Sequence, residues 1–440
     1  MNKKFPLCWF MLGLGSKLQV VASLSITELV VLVFAPFILI KNHQLMKRDG
    51  VMPFFWMALL VVFGCVVSCL ANQSHPQAIL RGMATTCLIV CCIVFAHWII
   101  RKDPAGFKWM FVGAALSSVM STFYFQNATE LMQTGGDVDL IVAGPIYWIQ
   151  RLGAFIMLPT KGWYMHMPTI VNVIAPLFMV AFSMLSSTSG RSSALISIAF
   201  AVMVLIGGKS RRSMMRISHH FGLICCVGII CVVVVHRIYK ISATAGWLGE
   251  EARKKYEVQS QGENSIGRLI LGGRAESFIG LLACRDKPIV GWGPWAIDTK
   301  GYREEFMSKY GTYEDVLQLQ RNIERMAKVG LTYDGRRIQC HAYITEFWVW
   351  YGVFGLLFWV YVIFVLLRYL RQDCYAVPQW FAWLACSIPG MFWGIFFSPF
   401  ADRFGVSMFV VACLMARAVR KGRFQLPMEM IAEIEKNDRR

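Results

Sequence analysis

Long apolar runs alternate with short polar segments from the N-terminus of the chain almost to its end. A helix of about 20 residues crosses a hydrocarbon core about 30 Å thick, and most of these runs reach that length. The pattern predicts membrane-spanning helices at 18–40, 52–71, 79–100, 107–125, 167–187, 191–207, 221–237, 342–370, 378–397 and 403–417. A further short apolar element is predicted before residue 17.

Composition narrows the class of protein. Hydrophobic residues make up 56% of the chain and charged residues 16%, against about 45–50% and about 25% in soluble domains. This balance excludes a soluble globular enzyme. Most cysteines lie inside apolar runs, where cysteine acts as a small hydrophobe, and no zinc-ligand spacing occurs in the sequence. The sequence therefore predicts neither a metal nor a cofactor.

The net charge of +18 is concentrated in short loops, which predicts the orientation of the chain. Basic loops of membrane proteins stay in the cytoplasm, so we expect 41–48, 101–102, 209–216, 368–371 and 417–423 to be cytoplasmic. The side of the membrane on which each loop lies can be counted forward from the loop at 101–102 or backward from the cytoplasmic tail. The two counts agree only if the chain crosses the membrane once more near 140–158. That stretch carries Gly144, Pro145 and Arg151, which are typical of a broken or re-entrant helix.

The expected fold is an all-α polytopic membrane protein with 11–12 transmembrane helices and one large, partly helical periplasmic loop. We divide the chain into an N-terminal transmembrane bundle at 1–239, the loop at 240–340, C-terminal transmembrane helices at 341–418 and a basic cytoplasmic tail at 419–440. Loop helices are predicted at 274–283, 302–310 and 313–329, and a short amphipathic helix at 428–436.

Two arginines near membrane depth are the first candidates for binding chemistry. Arg191 follows a Ser/Gly-rich turn at the predicted start of a helix, where free N–H groups, the helix dipole and a guanidinium together favour an anion such as phosphate. Arg151 lies in the re-entrant stretch and could add charge to the same pocket. The alternative for Arg191 is snorkelling to lipid phosphates, and for Arg151 it is a cap on a short span.

The large loop adds glycines beside aromatic and cationic residues. Gly273 and Arg274 precede an amphipathic helix, while Gly291 and Gly293 lie in a Pro/Gly/Trp turn. Glycines of this kind permit close approach of a ligand to the backbone, although an ordinary loop is the alternative.

His341 stands where the loop re-enters the membrane, and Tyr343 follows it. Histidine titrates in the range that suits proton transfer from a sugar hydroxyl, and Tyr343 could stack on a sugar ring. The alternatives are a structural hydrogen bond for His341 and an interfacial aromatic belt for Tyr343.

These residues, in this order, resemble the bacterial O-antigen ligase and polysaccharide polymerase family. The resemblance covers about residues 140 to 370 and departs from the family's usual residues at Thr160 and Ala342. It is carried by Arg151-Leu152-Gly153 with Pro159, by Arg191, by Gly273-Arg274 with Phe278, by Pro288 with Gly291 and Gly293, and by His341 with Gly352 and Gly355.

The resemblance implies a metal-independent glycosyltransferase of the membrane-embedded GT-C kind in the bacterial inner membrane, with its active site facing the periplasm. Its donor would be an undecaprenyl-diphosphate-linked glycan, with Arg191, Arg274, Arg268 and Arg151 holding the diphosphate. His341 and Arg191 would be catalytic, and Gly273, Gly291, Gly293 and Tyr343 would position the acceptor or the loop.

The acceptor and the class of protein stay open at this point. We favour a polysaccharide polymerase that joins lipid-linked glycans; the alternative is a ligase that transfers the glycan to lipid A core. A lipid-linked oligosaccharide flippase is a second alternative, although the special arginines gather on one side of the membrane. Expected partners are the glycan donor and acceptor, membrane lipids and other polysaccharide-assembly membrane proteins, but no nucleic acid.

Overall fold

Helices make up nearly all of the regular structure in the computed structural model. The structure describes residues 4–15, 19–21, 24–106, 109–110, 113, 116, 219–220, 222, 237–238, 240–247, 253, 256–257, 275–310, 337–338, 340–397, 400 and 403–438. A small antiparallel ribbon, β1 and β2, lies near the start. The N-terminal elements are α1 (Lys4–Gly15), β1 (Gln19–Val21), β2 (Leu24–Ser25), α2 (Ile26–Asp49), α3 (Met52–Ala71) and α4 (Pro76–Lys102).

The second described part contains two loop helices and the C-terminal helices. They are α5 (Ala275–Asp286), α6 (Tyr302–Tyr310), α7 (Tyr343–Tyr351), α8 (Val353–Arg368) with a π-helical extension (Tyr369–Asp373), α9 (Pro378–Phe397), α10 (Arg403–Arg420) and α11 (Met428–Asp438). Several of these bounds agree with the sequence-based prediction within a few residues. The predicted helix at 313–329 lies outside the described residues.

Four described helices are long and apolar enough to cross a membrane: α2, α3, α4 and α8 with its π-helical extension. The chain is therefore a mostly helical membrane protein. The predicted crossings at 140–158, 167–187, 191–207 and 221–237, and nearly all of 107–125, lie outside the described residues. The crossings of α9 and α10, the total of 11–12 and the domain boundaries stay predictions.

The start of α2 differs from the prediction because of a local cap. The apolar run begins near residue 18, but the helix begins only at Ile26. Ser25 and Glu28 form a reciprocal capping box, in which each side chain accepts a hydrogen bond from the other residue's backbone N–H. Because the capping box satisfies free N–H groups at this point, the helix begins here. Residues 19–21 and 24–25 form the ribbon instead of a first part of the helix.

Helix α4 is the centre of the described bundle, and α2, α3 and α10 pack around it. Its most apolar window is 67% buried, against 22% for α2. A helix that is apolar on all sides is buried among other helices, whereas α2 has a face left for lipid.

Helix polarity divides the bundle into two ends. We call the end where α2, α4, α8 and α10 finish the basic end, because their last turns carry lysines and arginines. Asp49 of α2 accepts hydrogen bonds there from His97 at 2.9 Å and from Arg101. At the opposite end, Arg403 of α10 pairs with Glu28 of α2 at 2.8 Å.

The predicted span at 342–370 is divided by Gly352 into α7 and α8. Gly352 has φ 63° and ψ −147°, a conformation that suits glycine. The loop segment that contains Ile289 and Trp292 fits into this break. Val353 N donates to Ile289 O at 3.0 Å, and Trp292 N donates to Val349 O at 2.6 Å. A Cβ atom on Gly352 would overlap the carbonyl oxygen of Ile289. The break in the helix is therefore the place where the loop docks on the bundle.

We expect Gly352→Ala to lower the unfolding temperature in detergent far more than Gly422→Ala. Both glycines have positive φ, but nothing lies within 4 Å of a Cβ at Gly422. In the control, Gly422→Ala, the free energy of unfolding should fall only by the cost of a left-handed alanine, about 1–2 kcal/mol. Because of the steric overlap, the fall for Gly352→Ala should exceed about 4 kcal/mol. Equal shifts in unfolding temperature would show that the docked loop does not constrain this position.

Candidate functional site

His341 lies at the junction between the loop and the bundle, at the end of the bundle opposite the basic end. The chain that leads to it pairs with the chain leaving the Pro/Gly/Trp turn: Ile338 N donates to Ala296 O at 3.0 Å, and Ile297 forms a β-bridge with Arg337. Helix α7 begins two residues after His341. Residues on both sides of the histidine are therefore held in place.

The His341 ring is half-buried, and its Nδ1 atom is enclosed without a hydrogen-bond partner among the described residues. A buried polar atom left unpaired costs about 1–3 kcal/mol, so native proteins seldom keep one without a reason. An unpaired imidazole nitrogen is able to exchange a proton with a hydroxyl group that reaches it.

Loop helix α5 forms a wall beside His341. A Cβ on Gly280 would lie 2.7 Å from Thr345 Cγ2 and 2.8 Å from Cys340 Sγ, so the α5 backbone presses directly on residues flanking the histidine. Burial raises the pKa of the Cys284 thiol to about 12 and that of Cys340 well above its usual value. Both cysteines are free thiols in the structure and act as neutral packing groups, because a nucleophilic cysteine needs a lowered pKa.

Charged side chains from four parts of the chain meet behind this junction. Glu346 of α7 accepts a hydrogen bond on Oε2 from Phe400 N at 2.9 Å, and it interacts electrostatically with Arg337 and Arg403. Arg403 also pairs with Glu28. We call Glu28, Arg337, Glu346 and Arg403 the ionic cluster. Each guanidinium of the cluster therefore has a carboxyl group nearby, as burial of charge favours.

The ionic cluster keeps one donor without an acceptor. Arg403 Nε is buried and makes no hydrogen bond in the described part of the chain, although Nη1 of the same guanidinium binds Glu28. The side chain is only 12% exposed, so bulk water does not satisfy this donor. A planar guanidinium with a free N–H is suited to an oxygen acceptor such as a phosphate or hydroxyl oxygen.

Tyr343 belongs to an aromatic group within the bundle. Its ring centroid lies 5.0 Å from that of Trp359 and 5.2 Å from that of Phe400, and a Cβ on Gly394 would lie 2.6 Å from the ring. These contacts join α7, α8 and α9. Stacking of Tyr343 on a sugar stays a prediction.

Gly291 and Gly293 both have positive φ and approach the protein itself. A Cβ on Gly291 would lie 2.6 Å from Gly352 N, and one on Gly293 would lie 2.5 Å from Ser74 Oγ. Asn72, after α3, donates to Gly291 O at 3.0 Å. Their described neighbours are thus the break at Gly352 between α7 and α8 and the turn between α3 and α4.

The remaining predicted site residues, Arg151, Arg191, Arg268, Gly273 and Arg274, lie outside the described residues. The diphosphate site built from them stays a prediction. Within the described ranges, no group of three His, Cys, Asp or Glu side chains is arranged to hold a metal ion.

Sequence reasoning did not select Arg337 or Arg403 as site residues. Arg403 has the form of an ordinary flanking cation at the start of an apolar run, and Arg337 that of a surface charge in a loop. The available signal was Glu28 and Glu346, two carboxylates within predicted spans, because a buried carboxylate requires a cationic partner.

A search of protein-family models and of curated proteins finds no match to this chain. The motif order described above is therefore the basis of the family resemblance.

We expect Arg403→Gln to destabilise the protein by about 3–5 kcal/mol, because Glu28 would be left buried without its partner. The double variant Glu28→Gln/Arg403→Gln should recover most of that loss. Unfolding temperatures in detergent measure both effects. Arg253→Gln is the matched control, since Arg253 pairs with Glu257 at 3.0 Å on an exposed surface, where a pair contributes less than about 1 kcal/mol. Additive losses in the double variant would show that the two residues do not interact.

Proposed function

We propose that the chain is a membrane glycosyltransferase that transfers a glycan from undecaprenyl diphosphate to a sugar hydroxyl, and that it acts as a polysaccharide polymerase. The observation that carries the proposal is His341, with an enclosed, unpartnered Nδ1 at the junction of loop and bundle. The order of the arginine, glycine and histidine motifs around the large loop supports the same class.

In the proposed reaction, a hydroxyl oxygen of the acceptor sugar attacks the anomeric carbon of the donor. The new C–O bond forms while the bond from that carbon to the diphosphate oxygen breaks, and the electron pair leaves with the diphosphate. His341 accepts the hydroxyl proton as general base. A positioned base of this kind contributes about 10²–10⁴-fold to a rate.

The leaving diphosphate develops negative charge, which fixed cations stabilise more effectively than water does. Arg191 is the first candidate for this role, with Arg274 and Arg268 next and Arg151 as a further cation. The ionic cluster serves a different purpose in this scheme. Its pairing of α2, α7 and α10 keeps the start of α7, and with it His341, in a constant position.

The defining experiment is reconstitution of the full chain with an undecaprenyl-diphosphate-linked glycan, without nucleotide sugar and with a chelator present. Longer lipid-linked chains support the polymerase. Glycan transferred to added lipid A core instead identifies a ligase, which shares the donor and differs in the acceptor. Movement of unmodified donor between leaflets without transfer contradicts the proposal and identifies a flippase.

We expect His341→Ala to slow transfer per folded protein by about 10²–10⁴-fold while the lipid-linked donor is still retained. His75→Ala is the control, because this exposed histidine also lies at the opposite end and accepts a hydrogen bond from Gln77 N at the start of α4. The control should keep nearly full specific activity. A His341→Ala protein with normal specific activity, or with a defect that follows only its abundance, contradicts a role in proton transfer.

We expect Arg191→Lys to lower transfer at least about tenfold, because lysine keeps the charge but loses the two-pronged contact to phosphate oxygens. Arg253→Lys, on an exposed part of the loop, is the matched control and should be silent. Measurement at saturating and limiting donor separates binding from turnover. Unchanged transfer by Arg191→Lys is the result expected of an arginine that only snorkels to lipid.

A further inference from the structure

A second charged region, at the basic end, has no part in the proposed transfer reaction. A cavity of about 530 Å³ lies between the end of α2, the start of α3 and the end of α10. Its lining includes four cations, Lys47, Arg417, Lys421 and Arg423, and one carboxylate, Asp49.

Asp49 does not neutralise these cations, because it is already engaged elsewhere. Its side chain is fully buried, and its Oδ2 atom is bound by His97 Nε2 at 2.9 Å and by Arg101. The neighbouring Arg48 lies 3.5 Å from its Oδ1 atom. In the regions that the structure describes, none of the four lining cations forms an ion pair. The cavity therefore carries a positive charge that no ion pair among the described residues neutralises.

A second carboxylate near this end is also engaged, although it attracts Arg417 of the lining electrostatically. Asp373, after α8, pairs with Arg420 at 2.5 Å and lies 3.9 Å from Arg368. Repulsion from Arg417, with burial and Arg423 as lesser causes, lowers the pKa of Lys421. Cations that repel one another in this way are stabilised by an anion placed among them.

The rim of the cavity is apolar on the side of α3. Trp56 lines the cavity and is 57% exposed. Leu60 and Phe63 follow at helical spacing on the same face of α3 and are 39% and 54% exposed. Tryptophan at the end of a membrane helix is typical of the head-group level, and the apolar stripe beyond it faces acyl chains. A ligand with a negative head and an apolar tail matches this combination.

We infer that the cavity at the basic end binds the phosphate-bearing head group of an anionic membrane lipid, with the lipid tail lying along Trp56, Leu60 and Phe63 of α3. Arginine and lysine side chains hold phosphate by charge-assisted hydrogen bonds. This site is separate from His341 and the ionic cluster, which lie at the opposite end of the same helices, and it does not depend on the proposed transferase activity.

The test compares lipid retention by the full chain with that of two double variants. The protein is placed in nanodiscs of phosphatidylcholine containing a minor fraction of phosphatidylglycerol, released, and analysed by native mass spectrometry for bound phosphatidylglycerol. We expect Lys421→Gln/Arg423→Gln to weaken retention at least about tenfold, because two charge-assisted contacts are lost. Both residues are exposed, so the fold should tolerate the change. Lys41→Gln/Lys102→Gln removes the same charge near the same end but outside the cavity lining, and it should retain the lipid normally.

Two further arms decide the source of the phosphate group. In the first, Trp56→Ala keeps the cations and should weaken retention of phosphatidylglycerol. In the second, added phosphatidylglycerol should raise the unfolding temperature of the native chain. Inorganic phosphate at millimolar concentration should not reproduce that rise. Equal lipid loss in both double variants would overturn the inference in favour of nonspecific surface charge. Stabilisation by inorganic phosphate without any by lipid would overturn it in favour of a soluble phosphate compound.

Discussion

Buried carboxylates that must be paired are the constraint on which the described bundle depends. Apolar helices in lipid have no hydrophobic preference for one neighbour over another, so packing and polar contacts decide their arrangement. Glu28 joins α2 to α10, Asp49 joins α2 to α4, and Asp373 joins the end of α8 to α10. Each pair connects helices far apart in sequence. A shift of one helix by a turn would separate these charges in a low-dielectric medium, which costs several kcal/mol.

The docked loop depends on this framework and determines where His341 lies. The segment around Gly291 fits into the break at Gly352, and Lys287 donates to Asn72 after α3. Trp348 Nε1 adds a bond to Pro288 O at 2.9 Å, and Trp295 stacks on Trp350 with centroids 4.4 Å apart. These contacts convert a polar loop into a fixed lid on one end of the bundle. They leave the histidine at its edge, half-buried, where a bound sugar and a proton acceptor could meet.

The two ends of the described helices therefore have different characters. At the opposite end, carboxyl and guanidinium groups meet in the ionic cluster, and Arg403 Nε and His341 Nδ1 are among the buried polar atoms without partners in the described residues. At the basic end, four cations and one carboxylate line a cavity. The first arrangement suits positioning of a reacting group, whereas the second suits attraction of an anion.

The sequence by itself determined the class of the protein and the bounds of several of its elements. Apolar run length is a local property, and so α3 and α9 begin and end at the predicted residues; the polar loop helix α6 also has the predicted bounds. His341 was predictable as a candidate because a lone histidine at the boundary of an apolar run is visible in the sequence. The start of α2 was predicted wrongly, since the Ser25–Glu28 capping box competes with the apolar run.

Only the tertiary structure decided which distant residues meet. The pairing of Glu28 with Arg403 spans 375 positions, and no local pattern of either residue indicates it. The division of the 342–370 run at Gly352 likewise depends on a carbonyl group from a loop more than 60 residues earlier. The cavity at the basic end needs three chain segments at once. Periodicity and composition report what one segment prefers, whereas charge pairing, docking and cavity shape depend on distances between segments, which a sequence does not contain.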